Sequence, residues 1–167
     1  MPSGRVHSLI NLGVFAVAGS AALALHRSGA AFISPETAAA FTIGFFAGTY
    51  LLSPDLDLAE GHVDAKRAWG VLGVLWVPYG KLFSHRGWSH SWIVGPLTRL
   101  VYLGIFVSVL IGLALALWPG LTLPAWATSW TFAGPLLAGY YASQWLHLLA
   151  DGIRPDHKMR ARVKRRR

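Results

Sequence analysis

The sequence predicts an all-α, polytopic membrane protein with about four transmembrane helices plus an interfacial or re-entrant segment. Three observations carry this. Of 167 residues, 54% are hydrophobic and only 13% charged, with a mean hydropathy of +0.45, which is too little polar surface to cover a soluble globule of this size. Several runs approach the roughly 20 apolar residues, about 30 Å of helix, that a bilayer core demands. Of the fifteen Lys and Arg residues, which bring the net charge to +8, thirteen lie on one side of those runs.

Taken in order, the run over 8–26 follows Arg5 and is the first candidate span. Read instead as a signal peptide, it would discard His7 and Asn11 with the leader. The second run, 38–52, carries Gly44 and Gly48, a small-residue pair suited to close helix packing, and ends in Ser53-Pro54-Asp55-Leu56-Asp57. The stretch 68–83 is apolar but short and broken by Gly70, Gly73, Pro78 and Gly80, hence the interfacial or re-entrant reading. The runs over 92–118 and 132–150 complete the set, and the chain closes in a basic tail. Residues 1–152 read as a single transmembrane metal-binding domain and 153–167 as a basic cytoplasmic tail.

Charge placement orients the spans. Arg27 is the one basic residue in the 27–37 loop, the 119–131 loop has none, and, Arg99 aside, the other thirteen flank the opposite ends. The positive-inside rule then predicts a multi-pass protein of the bacterial inner membrane with both termini and the 53–91 segment cytoplasmic. Trp118, Trp126 and Trp130 would mark the outer interface, and Trp69, Trp88 and Trp92 the inner one. The tail reads as lipid-facing, with no specific nucleic-acid partner.

Acidic residues are scarce and clustered. Of seven, six (Asp55, Asp57, Glu60, Asp64, Asp151, Asp156) lie in two short polar stretches that also carry histidine. With no cysteine in the chain, any metal must sit among imidazoles and carboxylates. His147 and Asp151, four apart, share one helical face and would bind one ion, or the carboxylate would orient the imidazole; a capping Asp bonded to a core His is the bland alternative. His85 and His90 flank Gly87, whose freedom to turn would bring both rings to one point, unless this is only a loop of helix caps. Asp55 and Asp57 project the same way if the backbone there is extended, and a cation between them would relieve their repulsion; one of them could instead cap a helix. His7 is the next ligand candidate, and His62 is either a ligand or a loop residue. Arg86, between two candidate ligands, and Arg99, about 10 Å into an apolar helix, are candidates for holding substrate oxygens. His26 and His157 fall outside the cluster. No phosphate-binding glycine loop, serine-hydrolase elbow or base-stacking motif is present.

Met-Pro-Ser-Gly-Arg-Val-His7, Leu-Ser-Pro-Asp-Leu-Asp57, Trp-Val-Pro-Tyr79, His-Arg-Gly-Trp-Ser-His90 and the pair His147 to Asp151 occur in that order. With these, the chain from residue 1 to about 152 resembles a group of uncharacterised bacterial membrane proteins described as metal-binding. More distantly it is similar to YdjM-like inner-membrane metal-dependent hydrolases, which share an early His, a Pro-Asp-x-Asp, a His-Arg-x-x-x-His and a late Asp. The order also resembles that of helical zinc phospholipases C, a likeness carried by His147 and Asp151 and more weakly by Asp55. These resemblances imply a divalent metal, zinc first, with manganese, iron or magnesium also compatible. They imply a metal-dependent hydrolase, which the predicted topology places at the cytoplasmic face, where a phosphorylated substrate or a lipid head group lies at the depth of the site. The alternatives are a non-catalytic metal-binding or transport protein, or a structural module stapled by its metal.

Overall fold

The computed structural model describes residues 3–58, 63–83, 87–122 and 129–154, and among these the regular structure is entirely helical. His62, His85, Arg86, Trp126 and the tail beyond residue 154, with Asp156 and His157, lie outside the described residues.

Each of the four apolar runs becomes a helix. The first, α1 (Gly4–Arg27), closes with the Ser28 N–H on the Ala24 carbonyl and with His26 and Arg27 in its last turn, where cations suit the helix dipole. Helix α2 (Pro35–Phe46) starts from Ser34, whose hydroxyl accepts from the Thr37 N–H, with Pro35 at the first position. Its continuation, Ala47–Leu51, widens into a π-helical turn that ends with the Leu52 N–H on the Ala47 carbonyl, five residues back.

The segment expected to be interfacial or re-entrant is broken helix throughout. It comprises α3 (Asp64–Ala68), a 3₁₀ stretch over Gly70–Leu75 and α4 (Trp76–Leu82). Gly70 at φ +55° makes the turn between the first two pieces, a conformation that suits glycine. Val71, Leu72, Val74 and Leu82 face outward, while Trp76 and Tyr79 join Leu52, Leu56, Ala65 and Tyr140 in the core. The two long helices that follow are α5 (Val94–Leu117) and α6 (Trp130–Ala150).

Two helices, α1 and α5, are long and apolar enough to cross a membrane, and both are almost wholly exposed along their apolar windows. The four-span expectation thus has two helices that meet it on length and apolarity. Helix α2 has only 12 residues before the π turn, and α6 buries a partly polar stripe of Gly139, Tyr140, Ser143, Gln144, His147 and Leu148 at helical spacing.

Helices α2 and α6 form the tightest seam. A Cβ on Gly44 would fall on the Leu136 carbonyl, one on Gly139 on the Phe41 carbonyl, and one on Gly48 on the Ser143 hydroxyl. Absent side chains therefore let the two backbones meet, as anticipated for Gly44 and Gly48. The seam fixes the C-terminal end of α6 against the turn that follows α2, and the polar residues gather there.

Candidate metal centre

Four elements bring their ends together: the first turns of α1 (His7), a 3₁₀ turn over Pro54–Asp57 (Asp55, Asp57), a second over Trp88–His90 (Ser89, His90), and the last turn of α6 with the residue that ends it (His147, Asp151). Asp151 caps α6 by giving its N–H to the His147 carbonyl, and Gly152 at φ +74° turns the chain away. Asn11, one turn beyond His7, ties α1 down by donating to the Thr49 hydroxyl at 3.0 Å and the Ser143 carbonyl at 3.2 Å. Gln144 holds α6 to the π turn through the Gly48 carbonyl at 2.9 Å.

At the centre of this cluster is the His147 imidazole. Its Nε2 is buried without a hydrogen-bond partner, yet it stands 3.5 Å from Asp151 Oδ2 and 3.7 Å from Asp55 Oδ1. His7 stacks on the same ring, centroids 3.8 Å apart, and sets its own Nε2 3.3 Å from Asp151 Oδ1. Two groups of donors result, His7 with His147 and Asp151, and Asp55 with His90 and His147, each offering three ligand atoms within 4.8 Å of one another.

These separations exceed those of good N–H···O bonds, about 2.7–3.2 Å. Donors about 2.0–2.2 Å from a tetrahedral ion stand roughly 3.3–3.6 Å apart, close to the spacings found here. The residues thus fit a divalent ion: nitrogen and carboxylate donors gather in two groups that share His147, whose imidazole Nε2 lies between two carboxylates. Burial pushes the Asp55 carboxyl up, but the attraction of His147, then of His90 and His7, outweighs it and holds the group below the ordinary carboxylate value. An ionised carboxylate is the form a metal takes up.

Asp57 takes another course. The extended backbone that would aim it with Asp55 is replaced by the 3₁₀ turn, in which residues two apart point in different directions. Its carboxylate lies 3.0 Å from His90 Nδ1, accepts a hydrogen bond from the Ser89 hydroxyl, and belongs to neither donor group. Arg99 is completely buried and donates from Nη2 to the Ser89 carbonyl at 3.3 Å. A cavity of about 190 Å³ opens beside the centre between α1, the π turn and α3, lined by His7, Ser8, Asn11, Thr49, Asp55 and His147 among others. Arg99 does not line it.

Thr49, Ser143 and Gln144, absent from the expected site, are all buried and hydrogen-bonded within this region. The one available signal was the Ser143-Gln144 pair, polar in an otherwise apolar run.

Fold and site together define an all-helical protein with a buried His/Asp cluster of metal-binding character. The chain belongs to the family described as Uncharacterized metal-binding protein (DUF2227), whose model matches residues 2–161. A 63-residue segment is 41% identical to an uncharacterized protein of Aquifex aeolicus (strain VF5), covering 38% of this chain and 43% of that relative, so the match spans less than half of the relative's length. No solved structure matches the chain.

Proposed function

We propose that this metal-binding protein is a multi-pass inner-membrane hydrolase in which His7, Asp55, His90, His147 and Asp151 hold a divalent ion at the cytoplasmic face. The observation that carries this reading is the cavity of about 190 Å³ that reaches His7, Asp55 and His147. A metal that only staples helices sits in a closed set of four ligands, whereas a catalytic one keeps a position open to substrate. Transport sites lie near the middle of spans; here His7, His147 and Asp151 sit at the ends of α1 and α6, and Asp55 and His90 on the 3₁₀ turns beside them. A thiolate-free set of imidazoles and carboxylates suits zinc, and also manganese, iron or magnesium.

When bound, such an ion acts as a Lewis acid that polarises a phosphoryl or carbonyl oxygen and acidifies water. The chain's part is to hold the donors rigidly, with His7 and His147 in register and Asn11 and Gln144 fixing their helices, and to admit substrate from the α1 side. A phosphoester carried by a membrane lipid is the substrate class this position favours. Arg86 holds its oxygens, by reason of its place in sequence between two candidate ligands.

Detergent-purified, metal-loaded protein should hydrolyse members of a phosphoester panel that includes phospholipids. Arg86→Ala should keep its metal and lose about a hundredfold or more in turnover, the usual cost of one contact to developing charge. A metal-replete wild type inert across the panel would favour the non-catalytic alternative. The topology has its own test, because the chain has no native cysteine. Single cysteines in Arg67→Cys and Trp88→Cys should label from the cytoplasmic side and those in Ser28→Cys and Gly120→Cys from the other; labelling of positions 67 and 88 from opposite sides would dismantle the shared site.

A further inference from the structure

Arg99 is a cation that the chemistry above does not use. It is fully enclosed near the start of α5, and among the described residues no carboxylate lies within ion-pairing distance of it. Its Nε and Nη1 are buried without hydrogen-bond partners, while Nη2 donates to the Ser89 carbonyl at 3.3 Å and the guanidinium also meets the Tyr140 hydroxyl. An arginine inside an apolar helix is costly, and the groups around this one are neutral: the phenols of Tyr79, Tyr140 and Tyr141 and the Ser89 carbonyl.

The carbonyl it grips is held from a second direction. Gly95, one turn before Arg99, packs so closely on Ser89 that a Cβ would fall on the same oxygen. Ser89 passes the restraint on, because its hydroxyl donates to Asp57 Oδ2, and that oxygen lies 3.0 Å from His90 Nδ1. A continuous chain of contacts therefore runs from Arg99 through Ser89 and Asp57 to the His90 ring.

We infer that Arg99 and Asp57 are positioning residues that set the orientation of His90 as a metal ligand, and that neither touches the metal or the substrate. The inference rests on the reading of His90 as a ligand. An imidazole held at Nδ1 by a carboxylate presents Nε2 to a metal in a fixed tautomer and plane, and Arg99 locks the turn that carries it. This separates the two acidic residues of the 54–57 turn by role: Asp55 is a donor to the ion, and Asp57 aims a donor.

The test uses the full-length protein in detergent, loaded with Co²⁺, and reads its visible absorption, its affinity in chelator competition, and its helicity by circular dichroism. Arg99→Met should keep the helicity, weaken Co²⁺ binding by about 10–100-fold, as loss of such supporting groups typically does, and alter the absorption bands. Arg99→Lys, which retains a donor, should recover most of the affinity, and Asp57→Asn should follow Arg99→Met. If Arg99→Met does not fold, Ser89→Ala severs the same chain at its hydroxyl and should shift the bands in its place. Wild-type affinity and bands in folded Arg99→Met, or in Ser89→Ala, would overturn the inference while His90→Ala still disturbs the site. A site unchanged in His90→Ala would overturn the ligand reading and the inference with it.

Discussion

His147→Ala is expected to strip the protein of its metal while leaving it folded and helical. His147 is common to both donor groups, and its orphaned Nε2 lies between Asp55 and Asp151. Removing it takes the central nitrogen from the site, whereas loss of any other member leaves a donor group intact. Supporting groups around a metal typically cost about 10–100-fold in affinity when lost; loss of a shared donor should exceed that, so the purified variant should carry little metal. The packing cost is modest, because the ring makes no side-chain hydrogen bond through Nε2 and α6 is anchored independently by Gln144 and the Gly139 seam. Elemental analysis measures the effect, with His26→Ala as the control: His26 is exposed at the far end of α1, and its replacement should leave metal content unchanged. Full metal content in His147→Ala would place the ligands elsewhere.

Gly139→Ala is expected to produce a large loss of stability for a single methyl group. The added carbon would land on the Phe41 carbonyl and crowd the Phe45 amide of α2, both backbone atoms. A flexible side chain could step aside; a helix backbone cannot, so α2 and α6 must separate. Overpacking of this kind costs about 1–3 kcal/mol or more. Because α6 carries His147 eight residues further on, weaker metal binding should accompany the lower Tm in detergent. Gly104→Ala on α5 is the matched control, since no atom lies within 4 Å of its Cβ position; its Tm should hold or rise slightly, alanine being the better helix former. An unchanged Tm in Gly139→Ala would mean that the seam is looser than described.

Much of this arrangement is legible in the sequence because apolar runs and four-residue spacings are local signals. The four helices follow from runs near 8–26, 38–52, 92–118 and 132–150, and the glycines and proline of 68–83 announce a broken segment. The proximity of His7, Asp55, His90, His147 and Asp151 follows from placing the polar ends of those runs on one side. What resists reading depends on tertiary fit. The π turn over Ala47–Leu51 brings Gly48 and Thr49 onto α6, and no propensity in Ala-Gly-Thr-Tyr-Leu requires it. The 3₁₀ turn that parts Asp55 from Asp57 is equally a product of its surroundings, since Pro54 permits extended and helical continuations alike. Gly139 has no sequence partner to mark it, because its neighbour across the seam is a carbonyl of another helix. Arg99 advertises a role by sitting in an apolar helix, but whether it meets substrate or the Ser89 carbonyl turns on a side-chain path of several rotatable bonds.

The most direct measurement is an anomalous difference map, collected at the absorption edge of whichever metal elemental analysis finds in crystals of the wild-type protein. A peak is expected among His7, Asp55, His90, His147 and Asp151, about 2.0–2.2 Å from His147 Nε2, with Asp57 turned away toward His90 and Ser89. A peak elsewhere in the molecule, or one ligated by Asp57 or approached by Arg99, would contradict this placement.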